Sequence, residues 1–271
     1  MGLTHTVWVR GLPAWCEPLR VLGPGDWVIE GRTANARLTT FAAADLDARL
    51  RGVGIGGSTL EVTVTPPLGR PAVRAARTTD ARRRRDTSPG FTRPGAQLDE
   101  EGRYSLTPEA LALALGQRAA GRTVVDAGCG AGGNAIGFAR AGCQVVAIER
   151  DAGRLAAARH NARLHGVEDR IRFQAGDAAR LLSGLTADLL FLDPPWGVEW
   201  NRLHTPLDAL PALPPLLAVS KHFPEVWVKL PPSFDVSTLP AARPEAWYGT
   251  AKGDERRVKF LLLRWRNAPA D

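Results

Sequence analysis

The sequence predicts an α/β chain in which a mainly parallel sheet, covered by helices on both faces, fills the last two-thirds and a small α+β domain precedes it. Three observations carry this. From residue 98 onward, short continuous apolar stretches alternate with segments of helical spacing, as in strands buried on both faces. Before residue 69 the strand-like stretches are β-branched and alternate with polar residues, as in a sheet with one open face. Between the two, residues 70–97 hold eight Arg, two acids and almost no large apolar side chains.

The expected domains are therefore 1–69, a linker at 70–97, and 98–271. In the first, Thr6–Val9, Trp27–Glu30, Arg37–Phe41 and Leu60–Thr65 are expected strands. Pro18–Leu22 is a short helix, and Leu46, Leu50 and Val53 set a helix over Ala42–Val53. The order β-α-β-β-α-β is a split βαβ arrangement. The linker is expected to be mobile or loosely docked, and its composition suits a solubilising segment and a phosphate-binding strap alike. In the last domain, helices at Pro108–Arg118, Gly133–Ala141 and Gly153–His165 alternate with strands at Thr123–Asp126, Gln144–Glu149, Arg170–Gln174, Asp188–Asp193 and Val226–Leu230. Val258–Trp265 is a last strand.

With 271 residues, 44% of them hydrophobic, the chain is long enough for a large core. No stretch approaches the ~18 apolar residues of a membrane span, and the start, MGLTHTVWVRGL, has no charged leader with an apolar run behind it. A cytoplasmic protein without membrane contact is expected. Cys16, Cys129 and Cys143 form no CxxC pair and no His/Cys cluster, so neither a disulfide framework nor a metal is expected. Six Arg balance six acids in residues 1–69 and residues 98–271 net +1, so almost all of the +7 charge lies in the linker.

The strongest chemical signal is VVDAGCGAGGNAIGFARAGCQVVAIERD. A strand ends on Asp126, a glycine turn with Gly128 and Gly130 follows, and a helix begins near Gly133 with Asn134 in its first turn. Ligands of open α/β sheets bind at the carboxyl ends of the strands, and glycines let the backbone approach them. Cys129 in this turn is either a reactive thiol or a small loop filler. The turn alone also describes a dinucleotide fold. The next strand, however, ends on Glu149, placed for two ribose hydroxyls, and Asp177 follows the third, placed for an adenine amine. Acids at three successive strand ends suit an adenosyl ligand, although each also suits a helix cap.

The fourth strand ends in Asp193-Pro194-Pro195-Trp196. An exocyclic base amine is a weak nucleophile because its lone pair is delocalised into the ring. Asp193 and the Pro194 carbonyl, accepting its two N–H bonds, orient it for attack on a methyl group. Trp196 is placed to stack on the base. The alternative is a proline turn beside a core Trp.

Over about Gln97–Gly197 the chain resembles the trimethylguanosine synthase family, the cap-type guanine-N2 RNA methyltransferases. The carrying segments are QLDEEGRYSLTPE, DAGCGAGGNAIGFA, VVAIERD, ARHNARLHGVEDRIRFQAGDAARLL and ADLLFLDPPWG. The resemblance implies a Rossmann-like class I methyltransferase fold with a mainly parallel seven-stranded sheet. It implies S-adenosyl-L-methionine as cofactor, held by Asp126, Gly128, Gly130, Asn134, Glu149, Asp177, Thr107 and Asp193. It implies that Trp196 stacks on guanine and that Tyr104 and Ser105 help enclose the site. Two positions depart from the family. Asp193 stands where the cap enzymes carry Ser, and Arg103 replaces an aromatic.

VWVRGLP and ARLTTFAAADLDARL resemble the RNA-recognition motif, with Trp8 as a stacking aromatic and Ala36 and Leu38 in place of the other two; a ferredoxin-like packing domain is the alternative. Beyond Trp196, Trp200, His204, Lys229, Trp247, Tyr248, Lys252, Arg256 and Arg257 are expected near a substrate cleft, with Trp200 and Lys229 as substrate contacts and His204 as a candidate base. The expected function is methylation of an exocyclic base amine, guanine N2 in RNA first. N6 of adenine in RNA or DNA, or a small-molecule amine, are the alternatives. The sequence assigns no oligomeric state.

Overall fold

The computed structural model describes residues 3–84, 88–100, 102–197 and 200–268. The first domain runs β1 (Thr4–Arg10), α1 (Pro18–Leu22), β2 (Val28–Glu30), β3 (Thr33–Thr39), α2 (Thr40–Leu50), a hairpin of β4 (Gly54–Ile55) and β5 (Ser58–Thr59), and β6 (Glu61–Thr65). Its four-stranded sheet has the order β2-β3-β1-β6, that of a split βαβ fold. Period-two alternation turns Val7, Val9, Ala34, Ala36 and Leu38 into the core. Trp8 is left on the open face, opposite Asn35 and Thr63. Ala36 and Leu38 therefore do not share the Trp8 face, contrary to the expected alignment of stacking positions. The third strand also ends earlier than expected. The Thr39 hydroxyl accepts the Ala42 amide at 3.3 Å, capping α2 and drawing Thr40 and Phe41 into it.

The arginine-rich segment was expected to be a mobile or loosely docked linker; instead Arg70–Arg83 forms a helix, α3, packed on α2. Alanines and a proline in its first turn favour that conformation. Arg83 pairs with Asp45 at 2.7 Å, and buried Asp80 accepts from Arg84 and Arg257. Residues 85–87 of the expected linker lie outside the described residues.

The second domain continues with α4 (Gly102–Ser105), α5 (Glu109–Ala119), β7 (Thr123–Ala127), α6 (Gly133–Arg140), β8 (Gln144–Glu149), α7 (Ala152–Leu164), β9 (Ile171–Ala175), α8 (Ala178–Leu181), β10 (Leu189–Leu192), α9 (Leu213–Ala218), β11 (Glu225–Leu230), β12 (Arg243–Tyr248) and β13 (Val258–Arg266). Its seven strands follow the order β12-β13-β11-β10-β7-β8-β9, with β13 antiparallel to both of its neighbours. The chain runs outward from β7 to β9 and then returns to the other side of β7. The switch point of the sheet, where open α/β folds bind ligands, thus lies between β7 and β10. Strand β12 escaped the sequence pattern because Pro244 and Glu245 interrupt it, a composition tolerated at a sheet edge.

Both faces of the sheet are buried, and successive residues serve different cores. Leu189, Phe191 and Trp227 join Phe138 and Leu115 on one face. Leu190, Leu192, Val226 and Val228 join Leu46, Leu50 and Ile55 of the small domain on the other. Each such side chain contributes roughly 1.5–3 kcal/mol on burial, so this shared core ties the small N-terminal sheet firmly to the large one. No helix among the described residues is long and apolar enough to cross a membrane.

Candidate functional site

Parallel register brings four ionisable residues to one edge of the sheet. Asp126 is paired with Ala147 and Phe191, and Glu149 with Ala175. Leu192 is paired with Val228, so the next residues, Asp193 and Lys229, are cross-strand neighbours.

The Glu149 carboxylate organises the glycine turn. It accepts the Gly130 amide at 2.9 Å through Oε2 and the Asp151 amide at 2.9 Å through Oε1. Gly128 and Gly130 have φ of +89° and +54°, a region that L side chains rarely adopt. A Cβ at either would meet nothing within 4 Å, so both border open space at the strand ends. Cys129 is buried beside them, and burial together with the Asp126 and Glu149 carboxylates pushes its thiol well up. A thiol held protonated is a filler of the turn, not a nucleophile.

Asp126 is fully buried, and neither carboxylate oxygen finds a hydrogen-bond partner of good geometry among the described residues. Desolvation, and next the Asp193 carboxylate, push its pKa up to about 8, against the opposing pull of the Ala135 amide and Lys229. Among the described residues, buried polar atoms also lack partners at Thr107 Oγ1, Asn134 Oδ1 and Trp196 Nε1.

Asp193 Oδ2 accepts Asn134 Nδ2 at 3.0 Å and Lys229 Nζ at 2.6 Å. Lys229 Nζ also lies 5.0 Å from the centroid of the Trp196 ring, over its face. Trp200 meets Trp196 edge-on, with centroids 6.0 Å apart and planes at 81°. Asp193, Pro194, Trp196, Trp200, Asn134 and Lys229 are thus brought together.

Other expected residues take different places. Asp177 is exposed and caps α8, accepting the Ala179 amide at 2.8 Å. Tyr104 and Ser105 are exposed on α4. Lys229, expected to touch substrate, is 3% exposed and spends its charge on Asp193. His204 is no base for this site: Nδ1 lies 3.4 Å from the Gly57 carbonyl and Nε2 3.8 Å from Asp235. Trp247 stacks on Phe260, the Tyr248 hydroxyl meets Cys16 Sγ at 3.3 Å, and Arg257 pairs with Asp80, so these residues serve packing and domain contact. Among the described residues no group of three His, Cys, Asp or Glu is placed to hold a metal.

Asn161 had no expected role. It is fully buried, exchanges two hydrogen bonds with the Gln97 backbone, and donates to the Ala131 carbonyl at 2.9 Å. It thereby pins the segment before α4 to the glycine turn. The available signal was a polar residue on the apolar stripe of α7 set by Leu155, Ala158 and Ala162.

Residues 121–206 match the sequence profile of a family described as RNA cap guanine-N2 methyltransferase. Over 113 residues, 38% of the chain, there is 35% identity to a trimethylguanosine synthase of Schizosaccharomyces pombe, covering 47% of that protein. Over 91 residues, 33% of the chain, there is 43% identity to an uncharacterised RNA methyltransferase of Gloeobacter violaceus, covering 20% of it. The chain thus spans less than half the length of these curated relatives. A crystal structure from Porphyromonas gingivalis W83, described as a candidate methyltransferase, shares the fold with a TM-score of 0.53 and 19% identity, over 74% of this chain and 51% of that one.

Proposed function

We propose, from the match of residues 121–206 to the RNA cap guanine-N2 methyltransferase family, that the chain methylates an exocyclic base amine in RNA, guanine N2 first. The observation that carries this is the turn of Asp193, Pro194 and Trp196 beside buried Asp126, whose carboxylate oxygens find no hydrogen-bond partner of good geometry among the described residues, at the switch point of the sheet.

The residues fit S-adenosyl-L-methionine. Glu149 and the open glycine turn suit its ribose, buried Asp126 its ammonium, and Thr107 and Asn134 retain unused polar atoms. Asp177 keeps carboxylate capacity beyond its cap for the adenine amine. When bound, the cofactor supplies an electrophilic methyl group on a sulfonium.

The protein's own part is positioning. Asn134 and Lys229 fix one oxygen of Asp193, leaving the other to accept an N–H of the target amine, with the Pro194 carbonyl taking the second. Lys229 occupies one face of Trp196, so a base stacks on the other. The nitrogen sheds its extra proton to solvent after transfer.

Turnover of labelled cofactor with total RNA, followed by nucleoside analysis, tests this, with label expected in N2-methylguanine. Asp193, where the cap enzymes carry Ser, favours an unmodified base and keeps adenine N6 as the second reading, recognised by label in N6-methyladenine. Activity on a small amine, with no label in RNA and no dependence on salt, overturns the RNA substrate.

A further inference from the structure

Helix α3 makes an ordered array of arginines that the sequence suggested were a mobile or loosely docked linker. At 3.6 residues per turn Arg70, Arg74 and Arg77 fall within a sector of about 60° and span about 10 Å along the axis. All three are exposed, and none makes an ion pair among the described residues. Arg70 and Arg74 line a shallow open concavity with Pro71, Ala75 and Thr78. The acids lie on the other side: Arg83 is neutralised by Asp45, and Arg84 and Arg257 by buried Asp80, the sole acid of the helix. The charge on the helix is thereby divided: Arg83 and Arg84 are compensated, whereas Arg70, Arg74 and Arg77 carry theirs toward solvent.

The array is also fixed relative to the large domain. Arg257 holds Asp80, and the Ser88 amide just beyond donates to Asp254 Oδ2 at 2.9 Å. The open sheet face, by contrast, mixes Arg10 and Arg37 with Glu61, and Trp8 is its single large aromatic on β1.

We propose that the outward face of α3 is the surface on which the sugar-phosphate backbone of RNA docks, while the loop after β10 selects the base; this rests on the RNA substrate proposed above. Guanidinium groups grip phosphates by paired N–H donors without reading sequence, and their contribution falls steeply with salt.

The test is fluorescence anisotropy with a labelled single-stranded RNA of mixed sequence from 50 to 300 mM KCl, on the full chain and on its Arg70→Gln/Arg74→Gln/Arg77→Gln variant. These side chains are exposed, and circular dichroism checks that the variant folds. The slope of log K against log salt is expected to flatten by about 2, at about 0.7 for each phosphate that the variant no longer neutralises. The triple Lys variant is expected to regain at least half of that slope. An unchanged slope overturns the proposal, as does a wild-type chain that binds no RNA. So does a variant that loses binding only to vesicles containing anionic lipid. RNA that binds with the expected slope yet is never methylated leaves the docking face standing and removes the substrate reading alone.

Discussion

Lys229 Nζ lies 2.6 Å from Asp193 Oδ2, at the adjoining carboxyl ends of β11 and β10. Their side chains are 4% and 15% exposed, so removing one partner strands a charge in a poorly solvated place. Lys229→Met is expected to cost roughly 2–4 kcal/mol, less than a fully buried pair because Asp193 keeps some solvent, and to lower Tm accordingly. It is also expected to reduce kcat at least tenfold, because Asp193 loses its fixed orientation. Adding Asp193→Asn restores much of the Tm but not the rate. A Lys229→Met enzyme with normal kcat makes the pair structural only.

Lys229 Nζ lies over one face of the Trp196 ring, and under the proposed function the base stacks on the other. Base–aromatic stacking is worth about 1–3 kcal/mol when measured by truncation to alanine. Trp196→Ala is therefore expected to raise KM for RNA by about 5- to 150-fold, and Trp196→Phe by much less. Cofactor affinity, measured by calorimetry with S-adenosylhomocysteine, is expected to stay within about threefold. Equal loss of substrate and cofactor binding places the Trp in the core.

Asp126 titrates near neutrality, because burial and then Asp193 push it up to about 8. Its folded pKa exceeds the value of about 4 in an unfolded chain, so the folded state binds more protons between those limits. Its contribution to stability is full below about pH 4 and is lost as pH rises to about 8. Asp126→Asn is expected to raise the Tm of the ligand-free protein at pH 8.5. An ammonium partner needs the ionised form, so affinity for S-adenosylhomocysteine rises from pH 6 to 8, by at most about tenfold per unit, and then levels off. Calorimetry in buffers of different ionisation enthalpy counts the proton released. Affinity that is flat with pH removes Asp126 from the ammonium.

The strand ends carrying Asp126, Glu149 and Asp193 were legible because each closes an apolar run, and a parallel sheet buried on both faces leaves few other places for a carboxylate. Lys229 was legible as a member of the site but not in its role. Its pairing with Asp193 depends on the β10–β11 register, which no local pattern encodes. Helix α3 was hidden because its low apolar content reads as linker, and its stability comes instead from α2 and from the ion pairs of Asp45 and Asp80. Tyr248 and Arg257, expected near substrate, hold Cys16 of the N-terminal part and Asp80 of α3, partners their local sequence does not announce.

The small domain reaches the site loop through its β4–β5 hairpin. The Gly54 amide donates to the Arg202 carbonyl at 2.9 Å, and the Gly56 amide to the Pro232 carbonyl at 2.8 Å. Those acceptors lie in the loops that follow β10 and β11, so the hairpin braces the segment beyond Trp196 from outside. At Gly54 an added Cβ would lie 1.9 Å from the Leu203 carbonyl oxygen, a backbone atom that cannot swing away. Gly54→Ala must push the hairpin off that loop, at a cost of about 1–3 kcal/mol as for other overpacked sites. The expected result is a lower Tm together with a lower kcat on RNA, while affinity for S-adenosylhomocysteine is retained, because the hairpin's hydrogen bonds go to the loops after β10 and β11 and not to the glycine turn. Gly184→Ala, where φ is not positive and a Cβ meets nothing within 4 Å, is the control for a glycine with room. If Gly54→Ala lowers Tm but leaves kcat untouched at a temperature where the protein stays folded, the hairpin supports the fold alone and does not brace the substrate loop.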